Sequence, residues 1–146
     1  RVSSNRREDT EPARKPASPA ELKALIDQGQ RLMGSKDYDG AIRIFNQVIE
    51  YDPTYIEAYR MRGISALLIY EQNPPMEGSK LYTAQFNFDH AINRGSTNPD
   101  DFYMRGMTFE RQGKKDRAIA DYRTALKMNP NHQGAKDALK KLGVAP

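Results

Sequence analysis

The sequence of 146 residues contains no cysteine and no tryptophan, and it has only two histidines. Without cysteine there is no disulfide framework and no thiol nucleophile, and the redox compartment cannot be inferred. His90 and His132 lie far apart, with no carboxylate or second histidine at ligand spacing, which argues against a metal site or a histidine general base. The sequence also lacks a glycine-rich phosphate loop and a nucleophile elbow. We therefore predict a protein without catalytic residues, without a metal and without a cofactor.

Long apolar runs are also scarce. The run from Ala66 to Tyr70 has five residues, whereas a membrane-spanning helix needs about 18 or more, and no signal-peptide hydrophobic region is present. We therefore expect a soluble domain without a membrane span, from the cytoplasm or the periplasm, between which the sequence does not distinguish. Because the chain starts at Arg1 rather than at methionine, we expect a fragment or a processed product. An anchor upstream of residue 1 is left open.

The first 17 residues contain, besides proline, only one valine and two alanines as apolar residues. Such a segment cannot bury enough apolar surface to offset the entropy lost on ordering. We predict a flexible N-terminal tail at residues 1–17 and a folded domain at residues 18–146. The tail has five basic and three acidic residues, and the whole chain has a formal net charge of only +4.

The folded part contains a repeat. Three glycines are separated by 34 and then 43 residues: Gly29, Gly63 and Gly106. Three alanines are separated by 43 and then 34 residues: Ala41, Ala84 and Ala118. Both series fit one 34-residue unit that occurs three times, with nine extra residues in the middle copy between its glycine and its alanine.

Each unit has the pattern of two short amphipathic helices. In the third copy, apolar and small residues recur at spacings of three, four and seven, which places each set on one helical face. The two sets are Phe102, Gly106 and Phe109, then Ala118, Tyr122, Ala125 and Leu126. Pro130 follows the second set and prevents that helix from continuing.

This pattern resembles the tetratricopeptide repeat, whose units carry large residues at positions 4 and 11, glycine at 8, alanine at 20, an aromatic residue at 24, alanine at 27 and proline at 32. The third copy matches at every position, and the second has Ser96 where the proline is expected. The resemblance covers about residues 20–131. It implies an all-α fold, a right-handed α-solenoid of three helix pairs with a C-terminal capping helix.

The resemblance also sets the boundaries. It places the repeats at about residues 20–53, 54–96 and 97–130, the nine-residue insertion near 71–82, and the capping helix at 131–143. Asn73-Pro74-Pro75 must end the third helix. The insertion then either folds back over the apolar end of that helix or forms part of a binding surface, and both alternatives stay open.

Contacts between the two helices of a pair follow from the same positions. Helices cross closely where small residues face each other, and we expect glycine at position 8 to face alanine at position 20. Arg62 and Arg105 both occupy position 7. We expect them to pair within the chain, Arg105 for example with Asp121.

The resemblance implies that ligands contact the first helices of successive repeats, on a concave surface. From the positions that contact ligands in the family, we predict a partner-binding set: Ile26, Gln30, Met33, Arg60, Ile64, Leu67, Tyr103, Met107 and Arg111. An apolar centre with arginines at its rim indicates a protein or peptide partner with an apolar anchor and an acidic flank. In the competing interpretation, these side chains only pack the first helices against each other.

One subgroup of the family clamps a C-terminal carboxylate of a chaperone with lysine, asparagine and arginine at five positions. None of the five is matched here, where the sequence has Ile26, Gln30, Met61, Asp100 and Met104. We therefore predict no chaperone carboxylate clamp.

The sequence thus favours a non-catalytic protein–protein interaction module or adaptor. The alternatives are an assembly or regulatory subunit of a larger complex and an RNA-associated accessory protein. The tail has no aromatic residues among its basic ones, and the predicted groove is not strongly basic, so we do not expect nucleic acid as the partner.

Overall fold

A computed structural model describes residues 17–146 of the chain, so the predicted tail lies outside the described residues up to residue 16. The described part contains seven α-helices and no strand: α1 (Pro19–Gly34), α2 (Tyr38–Tyr51), α3 (Ile56–Gln72), α4 (Ser79–Asn93), α5 (Pro99–Arg111), α6 (Lys115–Met128) and α7 (Gln133–Lys141). None of these helices combines the length and the apolar character needed to cross a bilayer.

Local sequence fixes where several of these helices begin. The Ser18 hydroxyl accepts a hydrogen bond from the backbone N–H of Glu21 (3.2 Å), and the Glu21 carboxylate accepts one from the Ser18 N–H (2.9 Å), which completes a capping box. Asp37 caps α2 by accepting from the Gly40 N–H at 2.9 Å. Asn98 caps α5 by accepting from the Asp100 N–H at 2.9 Å. These bonds satisfy N–H groups that have no partner inside the helix.

The helices pack in chain order. Each helix contacts the next one, and the first helices of successive pairs also contact each other, α1 with α3 and α3 with α5. Stacking of helix pairs in one direction buries a continuous core that no single pair could form. This arrangement confirms the predicted α-solenoid of three helix pairs.

An aromatic ring at the same position of each pair forms the centre of the core. These rings belong to Phe45, Phe88 and Tyr122, and all three side chains are completely buried. Each ring lies against the glycine at position 8 of its own repeat. A Cβ atom built there would come within 2.3 Å of the Phe45 ring at Gly29, 3.0 Å of the Phe88 ring at Gly63 and 2.7 Å of the Tyr122 ring at Gly106. The glycine is therefore required chiefly by the aromatic ring, a contact more important than the expected one with alanine at position 20.

The last helix closes the core as predicted. Ala135 and Leu139 are buried and pack in the cluster that contains Phe109 and Tyr122. On the opposite side of α7, Lys136 and the lysines that end the helix are exposed. An apolar inner face and a charged outer face are what the end of a solenoid needs.

The nine inserted residues are distributed over three places. In the repeat frame α3 ends four residues later than α1 and α5, the connection to α4 is three residues longer, and α4 begins two residues earlier than α2 and α6. Leu81, in the first turn of α4, is buried against Ala66 and Leu67 of α3. The apolar end of α3 is therefore covered by the start of α4, whereas Met76 in the connection is 89% exposed.

Candidate partner-binding groove

The face formed by α1, α3 and α5, together with the start of α7, is called the groove below. It carries the predicted partner-binding residues, and two cavities open on it. The N-terminal cavity has a volume of about 700 Å³ and the C-terminal cavity about 230 Å³.

The N-terminal cavity lies between α1 and the start of α3. Its lining is formed by Ala17, Pro19, Leu22, Lys23, Ile26, Asp27, Gln30, Tyr51, Asp52, Tyr55 and Glu57. Two predicted residues, Ile26 and Gln30, are in this set. Ile26 is only 3% exposed, so it forms the floor of the cavity. Gln30 is exposed at its edge.

The C-terminal cavity lies where α5 meets α7. It is lined by Tyr103, Met107, Glu110, Arg111, Tyr122, Gly134, Asp137, Ala138 and Lys141, three of which were predicted. The Tyr103 ring packs against the rings of His132 and Tyr122, with centroid distances of 4.9 and 5.8 Å. Burial raises the pKa of the Tyr103 phenol, which keeps that side chain neutral. Tyr103 therefore joins α5 to the capping helix and also lines the cavity.

The remaining predicted residues occupy α3 and the end of α1. Ile64 is partly exposed and packs at the edge of the cluster formed by α3 and α4. Leu67 is 3% exposed and belongs to the interior of that cluster. Met33 is partly buried against the core of the first pair. Of the predicted apolar contact residues, Ile26 and Leu67 thus support the groove from below, whereas Ile64 and Met107 reach its surface.

Arg60 is held by an ion pair that links the second and third repeats. Its Nε and Nη2 atoms donate to the two carboxylate oxygens of Asp101, at 2.6 and 2.9 Å, and Nη2 also donates to Ser96 Oγ at 3.3 Å. The Ser96 hydroxyl donates to Asp101 in turn. Asp101 is completely buried, and its hydrogen bond is the main reason why the pKa of Arg60 is raised. Ser96, which replaces the proline of the family, therefore helps to hold this pair.

Arg111 is also engaged within the chain. Its Nε donates to Glu71 at 2.7 Å, and its Nη1 lies 3.8 Å from the Glu110 carboxylate. The acidic flank was predicted because Arg60 and Arg111 were expected to offer free positive charge at the rim. Both guanidinium groups have carboxylate partners of their own, so that basis for an acidic flank is lost.

The arginines at position 7 pair inside the chain, as predicted. Arg105 makes a bidentate pair with Asp121, with both N···O distances at 2.8 Å. Arg62 donates to the side-chain oxygens of Asn87 and Asn46 at 2.8 and 2.9 Å. These bonds fix the arginines between helices and remove them from any role in the groove.

Two residues with structural roles at the groove were not found from the sequence. Asp101 pairs with Arg60, which is 41 residues away, and the sequence contains no local signal that connects the two. His132 caps α7: its Nδ1 accepts from the Ala135 N–H at 3.1 Å and its Nε2 lies 2.7 Å from Asp100. Because Nδ1 accepts, Nε2 carries the proton and donates it. Because histidine is not a preferred capping residue, this role could not be predicted from the sequence.

The second histidine is packed rather than exposed to a ligand. The His90 ring stacks on Tyr59 with centroids 3.8 Å apart, and its buried Nε2 has no hydrogen-bond partner among residues 17–146. Burial lowers the pKa of His90, and the positive charges of Arg94 and Arg62 lower it further. Across the same residues no group of three potential ligands could hold a metal ion.

Known proteins with the same kind of helical repeat are similar to this chain. Two family models described as "Tetratricopeptide repeat" match residues 22–55 and 99–132, on either side of the copy that holds the insertion. A curated relative is anaphase-promoting complex subunit 3 of Schizosaccharomyces pombe, 27% identical over 97 residues. That alignment covers 66% of this chain but only 13% of the relative.

Solved structures of similar shape contain the same helix pairs. The first tetratricopeptide domain of Spaghetti (RPAP3), bound to the HSP90 peptide SRMEEVD, gives a TM-score of 0.75 at 20% identity and covers 88% of this chain and 94% of its own. The type III secretion chaperone SycD of Yersinia enterocolitica, in complex with a peptide of the translocator YopD, gives 0.68 at 13% identity, with coverage of 86% and 89%. At these identities the likeness shows the fold.

Proposed function

The chain belongs to the tetratricopeptide repeat family, and on that premise we propose that it is a non-catalytic module that binds a peptide or helix of a partner protein in the groove. One observation carries this proposal: two cavities open on the same face, and partly exposed apolar side chains of α3 and α5 lie between them. These side chains belong to Met61, Ile64, Met104 and Met107. Flexible methionines suit apolar partners of varied shape.

In the proposed complex an apolar side chain of the partner sits against Ile64 and Met107. A few central residues carry most of the energy of a typical interface, surrounded by a polar rim. Ile64 and Met107 are the apolar members of the predicted set that reach the surface near the middle of the groove. An acidic flank would have to compete with Asp101 for Arg60 and with Glu71 for Arg111, so we propose an apolar anchor without an acidic flank.

The peptides bound by the structural neighbours belong to those proteins, and the proposal does not transfer them. A carboxylate clamp is not proposed, because the five positions that would form it hold other residue types. The relative named as a subunit of the anaphase-promoting complex favours a second form of the same proposal. In that form the groove holds a segment of another subunit and the chain acts in assembly.

Affinity capture with quantitative mass spectrometry tests the proposal. The full chain is compared with Ile64→Asp and with a matched control, Phe86→Asp, whose side chain lies on α4 and is 60% exposed. We expect Ile64→Asp to lose specific partners by at least about 30-fold, which corresponds to about 2 kcal/mol, while Phe86→Asp retains them. Because Ile64 also packs at the edge of the core, Met107→Glu is included and the helix content of each variant is checked by circular dichroism. Partners that both groove variants retain would contradict the proposal.

A further inference from the structure

We infer that the N-terminal cavity receives an arginine-bearing segment of the partner protein, with an apolar residue beside the arginine; this inference rests on the proposed function. The floor of the cavity accounts for the apolar residue. Leu22 and Ile26 lie at the bottom and are 7% and 3% exposed. A volume of about 700 Å³ is large enough for several side chains.

The rim of the cavity is acidic, although the chain as a whole is basic. Asp27, Asp52 and Glu57 line it together with a single base, Lys23, in a protein of formal net charge +4. Lys23 pairs with Asp27 at 3.1 Å, but both side chains are largely exposed, so the pair is weak and easily exchanged. One lysine leaves an excess of negative charge at the opening.

The neighbouring groups keep this charge in place. The Asp52 carboxylate accepts hydrogen bonds from the Thr54 N–H (2.9 Å) and hydroxyl (2.5 Å), and these bonds lower the pKa of Asp52. Glu57 lies in the first turn of α3, one turn before Arg60. The Arg60 guanidinium is held by Asp101 rather than by Glu57. The lowered pKa keeps Asp52 ionised at neutral pH, and the carboxylates at the rim are complementary to a cation.

Two tyrosines distinguish arginine from lysine as that cation. Tyr51 and Tyr55 line the cavity beside the carboxylates. A guanidinium group is planar, stacks on aromatic faces and donates to a carboxylate with two N–H groups at once, whereas an ammonium group is a compact and strongly hydrated charge. Aromatic and carboxylate groups in one cavity therefore favour arginine. An acidic segment would meet like charge at the same rim, which costs affinity and specificity.

A random library of 12-residue peptides displayed on phage is the probe for this inference. It is panned against the full chain, and individual selected peptides are then titrated by fluorescence polarisation. We expect arginine next to an apolar residue to be enriched in the selected sequences. We expect their affinity to fall at least about tenfold in Asp27→Asn/Glu57→Gln and also at higher ionic strength. Asp52 is left intact because it holds the Thr54 backbone.

The control neutralises two carboxylates at a distance from the cavity. Asp39→Asn/Asp116→Asn removes the same charge from the exposed first turns of α2 and α6, and it should leave the affinity of the selected peptides unchanged. An equal loss in the control and in the rim variant would assign the effect to net charge and overturn the inference.

Further outcomes separate the inference from the proposed function. Selected peptides rich in aspartate or glutamate that lose affinity in Ile64→Asp would overturn the arginine assignment and leave groove binding intact. Peptides insensitive to both Ile64→Asp and the rim variant, or no enrichment at all, would contradict both. An affinity that rises about tenfold in Arg14→Gln/Lys15→Gln would show that the chain's own N-terminal residues compete for the cavity, which would overturn the assignment to a partner.

Discussion

Removal of the Tyr122 ring should test the packing of the third pair most sharply. The side chain is completely buried, and its hydroxyl donates to Glu110 at 2.6 Å. Tyr122→Ala should destabilise the fold by about 3–5 kcal/mol, because it removes a buried aromatic side chain and leaves a cavity. Tyr122→Phe keeps the ring and loses only the hydrogen bond to a partly exposed carboxylate, so the expected loss is about 1–2 kcal/mol.

Substitution of Gly106, which lies beneath the Tyr122 ring, tests the same packing in a second way. A Cβ at Gly106 would lie 2.7 and 2.8 Å from two Tyr122 ring atoms. Gly106→Ala should therefore cost roughly 1–3 kcal/mol in the wild-type background. With Tyr122→Ala the obstacle is gone, and the same substitution should be neutral or stabilising by up to about 1 kcal/mol because alanine favours helix. Urea unfolding followed by circular dichroism gives all four free energies.

A matched glycine serves as the control for this cycle. Gly34, at the end of α1, has no atom within 4 Å of a built Cβ, so Gly34→Ala should have the same small effect with and without Tyr122. We expect the coupling between Gly106 and Tyr122 to exceed about 1.5 kcal/mol. Effects at Gly106 that add to those at Tyr122 within about 0.5 kcal/mol would refute the contact as the reason for glycine at this position.

Three further predictions concern the insertion, His90 and the buried ion pair. Replacement of Gln72–Lys80 by a short turn should preserve helix content and, because it retains Leu81, which covers the end of α3, it should leave the protein monomeric and unable to bind a hydrophobic dye; self-association or dye binding would show that the deleted residues provide the cover. The pKa of His90 is lowered in the fold, so the unfolded chain binds a proton more readily and stability should fall below about pH 6.5. His90→Phe should reduce that loss between pH 7.5 and 5.5 in urea unfolding, and an unchanged pH dependence would contradict it. Arg60→Met should cost about 3–5 kcal/mol by leaving Asp101 buried without its partner, and Arg60→Met/Asp101→Leu should recover much of this in thermal melts; no recovery would contradict the explanation.

The sequence predicted those features of the fold that depend on contacts within one helix pair. Gly106 and Tyr122 recur at fixed offsets in each copy because every pair must solve the same packing problem. The pairing of Arg105 with Asp121 was predictable for the same reason, since both residues belong to one repeat. The order of the helices and the role of α7 follow from repetition of this unit.

Contacts between repeats were not predictable in the same way. The ion pair of Arg60 with Asp101 joins two copies of the repeat. It also involves Ser96, which stands where the repeat pattern has proline, so the repeat pattern does not predict it. This pair changes the interpretation of the groove, because the charge of Arg60, which was predicted to lie free at the rim, is already balanced by Asp101. Likewise, Ile26 and Leu67 lie on the predicted helical stripe, but the approach of neighbouring helices buries them, and helical periodicity alone does not show how closely helices approach.

In the proposed complex the partner contacts the groove rather than the outer face of the solenoid. A photoreactive benzophenone side chain placed at Ile64 or, in a separate protein, at Phe86 tests this directly when each is irradiated with the captured partner and analysed by mass spectrometry. We expect crosslinks to the partner from position 64 and none above background from position 86. Crosslinks from position 86 alone would contradict the proposal.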